Sequence, residues 1–278
     1  PWPVVYDSKL YVFFEWFSVE SGHYEIAFFH NEDYLWPSVI KVTISSSGHN
    51  LNPTAALNGD ELILAWESSD EKLTGQEAES AIITQTMKTD GWDSSSSNYS
   101  SLTGNAGPHN QDPFAITYGG STWVFWSTSS QAISLGQDFD IVGRRYGGGS
   151  WDTNVFEISS GGSGNDTGPC AVPFGDKLAV SWISASQEFS AGEDTDIVLS
   201  LFDGESWSVP IDISQEDDGR DDAGGFTYKC PALLESDGEL LVLWETNDTP
   251  SIVDLTDTWL MMVELDTPTK KGNTIYWL

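Results

Sequence analysis

The sequence predicts an all-β fold, a β-propeller of five blades with four antiparallel strands in each blade. The main observation is a repeat of Pro, twelve residues, Trp, one residue, then Ser or Thr, found five times in 278 residues. Successive Trp positions lie 50 to 62 residues apart, about the length of one blade. A further observation is the apolar run that precedes each Trp. The five copies run from Pro3, Pro53, Pro113, Pro169 and Pro231 to Trp16, Trp66, Trp126, Trp182 and Trp244.

The second copy shows how the strands of a blade are assigned. Pro53 fixes φ and has no amide donor, which suits the first residue of an inner strand. Asn58-Gly59 is a hairpin signal, and the apolar run 62–67 is a second strand packed on both faces. A third strand is predicted at 81–87, and Trp92 opens the outermost strand.

The other copies follow the same order. Second strands are predicted at 10–16, 122–126, 178–182 and 240–244, and third strands at 25–29, 140–145, 196–201 and 259–264. Loops between second and third strands are predicted to be long. Because the repeats fill the chain, we expect one closed domain with blades at about 1–48, 49–108, 109–164, 165–226 and 227–278.

The conserved spacing within the repeat has a structural interpretation. The Trp is predicted to fill the gap between adjacent blades, and the following Ser or Thr to bond nearby backbone where the strand ends. An Asn or Asp three residues before Pro is predicted to form an Asx-type turn at the start of a blade.

The charge of the chain excludes several classes of partner. Eleven basic residues against 43 acidic ones give a formal net charge of −32. Such a field repels phosphate backbones and anionic lipids, so nucleic acid is excluded as a partner. No apolar stretch is long enough for a membrane span. The acidic excess indicates either solvation or the binding of cations such as Ca²⁺.

Several features favour an extracellular or cell-surface protein. Asn-x-Ser/Thr sequons at Asn98, Asn165 and Asn247 fall in predicted loops and are candidate glycosylation sites. Cys170 follows the Pro of the fourth copy and Cys230 precedes that of the fifth, so they are predicted to lie close together. A disulfide and two buried free thiols both remain open. Because the sequence starts inside a repeat, we expect a mature product or a domain of a larger polypeptide or surface assembly.

Candidate ligand-binding residues lie where the copies differ. The long loops and blade-to-blade connections share one face of a propeller, and loops on a rigid scaffold commonly carry binding residues. The alternative for the residues at blade starts is hydrogen bonding within turns. The candidates are His49, Asn50, Asn52, His109, Asn110, Asp112 and Asp166 at blade starts, and Glu67 and Glu245 in the position after Trp.

The third strands begin with acidic residues. Asp138 with Asp140, and Asp194 with Asp196, form Asp-x-Asp pairs at two strand starts. A period of two places both carboxylates on one face of a strand. Together with backbone carbonyls they are predicted to bind calcium, with a purely solvated acidic loop as the alternative.

The repeat resembles those of sialidase-like propellers, which occur in many exported bacterial and archaeal proteins. The resemblance rests on Asn or Asp before Pro, the strand ending in Trp-x-Ser/Thr, and Asp-Ile in third strands at 140–141 and 196–197. An Asp-box is faintly echoed at 202–207. Sialidases use three Arg from three different blades. Here Arg144 and Arg145 lie in one predicted blade and Arg220 in another, so sialidase activity is excluded.

Five blades also resemble the arabinanase and xylosidase type of glycosidase. That resemblance implies three acids on inner strands, and Asp112-Pro113 matches the family's Asp-Pro start. The equivalent positions hold Trp2, Asn52, Gly168 and Cys230, so the acid set is not reproduced there.

Three functions are compatible with the sequence. The leading hypothesis is a non-catalytic propeller that binds a glycan or protein partner through its loop-rich face. The alternative is a glycoside hydrolase or lyase that uses acids such as Asp112, Asp166, Glu67 and Glu245. A third is a structural component of a sheath or surface layer. Convergence of two or three carboxylates in one pocket would favour the enzyme.

Overall fold

A computed structural model of the chain contains five antiparallel β-sheets. The residues it describes are 1–31, 39–43, 47–74, 80–87, 99–104, 109–133, 138–159, 163–189, 195–214, 230–246, 259–265 and 274–277, with backbone alone from 245 onward. Among these residues one helix occurs, the single turn α1. No described helix is long and apolar enough to cross a membrane.

The strands follow the predicted order. They are β1 (Trp2–Tyr6), β2 (Lys9–Ser18), β3 (His23–His30), β4 (Ile40–Lys41), β5 (Asn50–Asn58), β6 (Glu61–Ser68), then α1 (Glu71–Thr74), β7 (Ala81–Met87), β8 (Tyr99–Ser101), β9 (Asn110–Tyr118), β10 (Ser121–Thr128), β11 (Asp140–Gly147), β12 (Ser150–Trp151), β13 (Phe156–Glu157), β14 (Asp166–Phe174), β15 (Lys177–Ser184), β16 (Asp196–Phe202), β17 (Ile211–Asp212), β18 (Ala232–Ser236), β19 (Glu239–Thr246), β20 (Trp259–Leu265) and β21 (Thr274–Trp277).

Each sheet is an up-and-down blade. Four sheets have the orders β1-β2-β3-β4, β5-β6-β7-β8, β14-β15-β16-β17 and β18-β19-β20-β21. The third sheet has the order β9-β10-β11-β12, and β13 also pairs with β11, so its outer strand is in two short pieces. The prediction of five four-stranded antiparallel blades is confirmed.

The chain divides into two compact units. The first comprises 1–134 and 143–156, and the second 135–142 and 157–278. In the first unit a core cluster joins the first two blades around Phe13, Ile26 and Trp66. In the second a cluster joins the last two blades around Leu199, Val242 and Trp244.

Inner strands of the first unit lie side by side. The indole N–H of Trp2 donates to the Ala55 carbonyl (2.8 Å), and the Ala115 N–H donates to Thr54 Oγ1 (2.8 Å). These bonds link β1 to β5 and β5 to β9. The starts of the second and third blades are therefore held next to each other.

The register of the first blade differs from the prediction. In the other four blades Trp lies six residues after the two-residue hairpin turn, as Trp66 follows Gly59-Asp60. In the first blade the turn is Asp7-Ser8, because Tyr6 pairs with Lys9, and six residues later stands Phe14. Pro1, Phe14, Glu15 and Trp16 therefore correspond to Pro53, Trp66, Glu67 and Ser68. The spacing from Pro3 to Trp16 is a coincidence of the sequence.

The repeated Trp is a core residue in four blades. Trp66, Trp126, Trp182 and Trp244 are buried, as predicted, whereas Trp16 is 42% exposed. The prediction that Trp16 fills a gap between blades is wrong, because the shifted register carries it beyond the core positions.

The Asn or Asp three residues before Pro anchors this Trp. The indole N–H of Trp66 donates to Asn50 Oδ1 (2.9 Å), that of Trp126 to Asn110 Oδ1 (3.2 Å), and that of Trp182 to Asp166 Oδ1 (3.1 Å). The side chain thus bonds across the hairpin, instead of forming the predicted Asx-type turn. A buried indole N–H needs such an acceptor, which explains the fixed spacing.

The predicted role of the Ser or Thr after Trp is confirmed in the second, third and fourth blades. Ser68 Oγ, Thr128 Oγ1 and Ser184 Oγ each accept the backbone N–H two residues later, at 3.1 Å in all three cases. These hydroxyls accept hydrogen bonds from backbone N–H groups that lie just beyond the end of each second strand.

The fifth blade lacks this anchor. Tyr228, outside the described residues, occupies the sequence position of Asn50, and among described residues the buried Trp244 indole nitrogen has no hydrogen-bond partner. We therefore expect Trp126→Phe to lower the free energy of unfolding by about 1 kcal/mol more than Trp244→Phe, because Trp126 loses its bond to Asn110, whereas Trp244 has no partner among the described residues. Urea titration of both variants measures the difference, and equal losses would contradict it.

Candidate functional site

A β-bulge reshapes the start of three blades. Pairing between first and second strands shifts between Leu51 and Thr54, and corresponding shifts occur in the third and fourth blades. The residue before Pro has positive φ in each case: 54° at Asn52, 54° at Asp112 and 63° at Gly168. Asn, Asp and Gly are the residue types that tolerate this conformation. Such bulges commonly re-aim a side chain out of the sheet.

Glutamates share one register position in three blades. Seven residues after the hairpin turn stand Glu15, Glu67, Ser127, Ile183 and Glu245. Counting from Pro3 places Phe17 in this position, so the sequence prediction missed Glu15. The hairpin turn Asp7-Ser8 was the signal that could have identified it.

Three carboxylates of the first unit meet at one residue, Asn52. The backbone N–H of Asn52 donates to Glu15 Oε1 (2.9 Å). Its side-chain Nδ2 donates to Glu67 Oε2 (3.0 Å) and to Asp112 Oδ1 (3.4 Å). The carboxylates come from β2, β6 and β9, three different blades. Asn52, Glu67 and Asp112 are half-buried and Glu15 is exposed, so the cluster is accessible to solvent.

The shared amide fixes how far apart two of the carboxylates lie. Glu67 Oε2 and Asp112 Oδ1 can be no farther apart than the sum of their distances to Asn52 Nδ2, 3.0 and 3.4 Å. A planar amide that donates one hydrogen to each oxygen places them about 5–6 Å apart. This oxygen–oxygen separation is close to the carboxyl spacing of retaining glycosidases, about 5–5.5 Å, and shorter than that of inverting ones.

The cluster does not have the geometry of a metal site. Among the described residues, no three His, Cys, Asp or Glu side chains come close enough together to hold a metal ion. The N–H groups of Asn52 occupy the position between the carboxylates where a cation would otherwise lie.

Seven of the nine predicted candidates fall into two groups. His49, Asn52, Glu67 and Asp112 lie in or beside the carboxylate cluster; the His49 ring is 5.8 Å from that of Tyr24 in the first blade. Asn50, Asn110 and Asp166 are buried acceptors for Trp and belong to the scaffold. His109 is exposed, with φ 68°, and its carbonyl accepts the Ser129 N–H. Glu245 shares the register position of Glu67, and its side chain lies outside the described residues.

Asp166 is a buried carboxyl where two other blades have Asn. Burial raises its pKa to about 6, against the opposing effect of hydrogen bonds from Ser184, Ser159 and Trp182, and the charge of Asp140 raises it further. Asp166 lines a cavity of about 380 Å³ in the second unit, with Glu157 and Glu188 at its wall.

Because Asp166 stands where two other blades have Asn, the stability of the protein should depend on pH. The folded state binds the Asp166 proton more tightly than the unfolded state, whose pKa is 3.8, so the free energy of unfolding falls as pH rises from 3.8 to about 6. Asp166→Asn should therefore raise it by about 2–3 kcal/mol above pH 6 and by little near pH 4. Thermal unfolding between pH 4 and 8 measures this. Asn110→Asp should instead lower the free energy of unfolding above pH 6. If the difference between Asp166→Asn and wild-type protein did not change with pH, the raised pKa of Asp166 would be wrong.

Three of the four predicted calcium ligands lie among the described residues. Asp138 Oδ2 accepts the Gly164 N–H, while Asp140 and Asp196 are buried at the starts of β11 and β16. Asp194 lies outside the described residues. A role of these residues in calcium binding therefore stays a prediction.

The two cysteines are close together, but they are not bonded. Both are free thiols, and Cys170 is buried within hydrogen-bonding reach of Cys230. The expected proximity of the two cysteines is found, and the disulfide stays a prediction. Of the predicted glycosylation sites, Asn165 is exposed and accepts the Phe139 N–H, whereas Asn98 and Asn247 lie outside the described residues.

Comparison with known proteins supports the fold. No protein-family model matches the chain, and no curated protein sequence matches it. A solved thermostable family-43 glycoside hydrolase is similar with a TM-score of 0.52 and 11% identity over 99% of this chain and 91% of that one. An α-L-arabinofuranosidase from Lactobacillus brevis is similar with a TM-score of 0.50 and 8% identity over 95% of this chain and 89% of that one. The family-93 α-L-arabinofuranosidase of Fusarium graminearum, solved with arabinobiose, has a TM-score of 0.50 and 14% identity over 82% of this chain and 66% of that one.

These likenesses assign the fold class. The chain is a five-bladed β-propeller related in fold to those of glycoside hydrolases. The identities of 8–14% concern the fold alone. Functional assignment therefore rests on the residues of the site.

Proposed function

We propose that the protein is a glycoside hydrolase whose carboxylate pair is Glu67 and Asp112. The observation that carries this proposal is the sharing of one amide, that of Asn52, by these two carboxylates from different blades. Two carboxyl groups about 5–5.5 Å apart are what retaining glycoside hydrolysis requires. The enzyme hypothesis is thus better supported than the non-catalytic one favoured from sequence.

Asn52 acts as a positioning residue in this proposal. Its left-handed backbone, with φ 54°, directs the side chain toward both carboxylates, and Glu15 holds its backbone N–H. Sugar hydroxyls can donate hydrogen bonds to a carboxylate, and a protonated carboxyl can donate its O–H to the glycosidic oxygen.

The fold likeness supports a choice of substrate class. Two of the similar solved enzymes are α-L-arabinofuranosidases, one of them solved with arabinobiose. Arabinose-containing oligosaccharides are therefore the first substrates to test. Non-catalytic glycan binding is the second candidate, favoured by exposed aromatic side chains next to Glu15.

The test is a cleavage screen on the whole chain. The protein is incubated with arabino- and xylo-oligosaccharides and with aryl arabinofuranosides, and new reducing ends are measured by chromatography. We expect cleavage with retention of anomeric configuration, because the two carboxylates lie closer together than those of inverting enzymes. Proton NMR of the first product measures the configuration. Binding without cleavage would support the second candidate, and inversion would contradict the Glu67–Asp112 pairing.

The location of the protein belongs to the same proposal. An extracellular or cell-surface location suits an enzyme that acts on polysaccharides, and calcium binding by the acidic loops is a separate prediction. Both follow from the sequence features above.

A further inference from the structure

The first blade carries a hairpin that reaches beyond the point where the other blades turn into loops. β2 has ten residues, whereas β6, β10, β15 and β19 have eight each. Four residues join β2 to β3, where eleven or twelve join the corresponding strands of the other blades. The prediction of a long second-to-third loop is therefore wrong for this blade.

This hairpin carries the exposed aromatic side chains of the described structure. Trp16 is 42% exposed, Phe17 50% and Tyr24 40%, and Val19 at the turn is 89% exposed. The other Trp, Phe and Tyr side chains whose burial is described are buried or half-buried. Clustered exposure of large apolar groups marks an interaction surface.

Two of these rings lie on the same side as the carboxylates. Phe17 and Tyr24 are directly opposite each other on β2 and β3, with ring centroids 5.3 Å apart at 66°. Glu15 and Phe17 are two residues apart in β2, so they share a face and are separated by about 6.8 Å along the strand. Trp16 points to the opposite face, where its ring lies 6.5 Å from that of Phe14.

The start of the second blade connects the rings to the carboxylate cluster. The backbone N–H of Tyr24 donates to His49 Nδ1 (3.2 Å), and the two rings are 5.8 Å apart. Three residues later, Asn52 donates to Glu15. Segment 49–52 therefore contacts the aromatic pair at one end and the carboxylates at the other, and together they form one continuous surface.

We propose that Phe17, Tyr24 and His49 form an aromatic platform that binds a neutral polysaccharide chain extending from the carboxylate pair. Aromatic rings offer apolar faces to the C–H surfaces of sugar rings, and the phenol and imidazole offer hydrogen-bonding groups at their edges. The net charge of −32, with Glu15 beside the platform, disfavours uronic-acid and sulfated chains. This inference rests on the proposed function, because it names the chain that the same site would act on.

The experiment compares variants on the two faces of the hairpin. The affinities of wild-type protein, Phe17→Ala/Tyr24→Ala and Trp16→Ala are measured by affinity electrophoresis in soluble arabinan and xylan, with polygalacturonate as the anionic comparison. We expect the double variant to lose roughly tenfold in affinity for a neutral chain, from two lost aromatic contacts. Trp16→Ala, equally exposed on the other face, should change affinity less than about twofold. All three side chains are exposed, and circular dichroism checks folding.

The outcomes separate this inference from the proposed hydrolase. Wild-type protein that binds neither neutral chain, tighter binding to polygalacturonate, or an equal loss in Trp16→Ala would each overturn the platform. Platform-dependent binding without cleavage would support the platform and contradict the hydrolase. Cleavage of the polymer should fall more in the double variant than in Trp16→Ala.

Discussion

Glu67→Gln and Asp112→Asn should each lower the rate of glycoside cleavage by about 10²–10⁴-fold. A positioned acid or base contributes this much to proton transfer, and an amide can neither take up nor release the proton. Both replacements keep the side-chain shape, and neither residue is part of the buried Trp anchors. Initial rates on the best substrate of the screen measure the effect, with thermal unfolding as the check on folding.

A matched acid away from the cluster serves as the control. Asp60 is exposed in the turn between β5 and β6, at the opposite end of the strands that carry Asn52 and Glu67. Asp60→Asn removes one charge, as the catalytic variants do, and should leave the rate within about twofold. If Glu67→Gln or Asp112→Asn retained comparable activity, the assigned pair would be wrong.

Asn52 offers an intermediate test. Asn52→Asp keeps a residue type that tolerates positive φ but replaces the donor with a third acceptor beside Glu67 and Asp112. Repulsion among the three carboxylates should favour the protonated form of the cluster. The pH optimum should therefore move upward, a change that loss of stability alone would not produce.

The sequence predicted the blades well because their signals are local. Turn residues, apolar runs and a Pro at a strand start act within a few positions, and the four buried Trp residues repeat at fixed spacing from Pro. The first blade was assigned the wrong register because Pro3-x₁₂-Trp16 fits the repeat in full, whereas the structural copy from Pro1 has Phe14 in place of Trp and Trp16 in place of Ser or Thr. The turn Asp7-Ser8 contains no Gly, so its hairpin signal was weak.

The site was only partly predictable because it is assembled across blades. Asn52, Glu67 and Asp112 were candidates as departures from the repeat, yet their meeting depends on bulges that turn Asn52 and Asp112 to positive φ. Asp166 occupied a similar place in the sequence and proved to be a Trp acceptor. Its position, three residues before Pro, was the distinguishing signal, since Asn52 and Asp112 immediately precede Pro.

Trp66→Ala should lower the free energy of unfolding by about 3–5 kcal/mol, and Trp16→Ala by less than about 1 kcal/mol. Trp66 is fully buried in the core cluster of the first two blades, and its indole N–H bonds to Asn50. Its removal leaves a cavity and an unsatisfied buried amide oxygen. Trp16 has the same spacing from a Pro but is 42% exposed beyond the core.

Comparing Trp66→Ala with Trp16→Ala tests the corrected register of the first blade directly. Phe14, and not Trp16, occupies the position of Trp66 in the first blade, so Phe14→Ala should destabilise the protein more than Trp16→Ala. Urea titration followed by circular dichroism measures all three variants without depending on the altered Trp fluorescence. Comparable losses for Trp16→Ala and Trp66→Ala would mean that the repeat read from Pro3 is the structural one, and Glu15 would then lose its equivalence to Glu67.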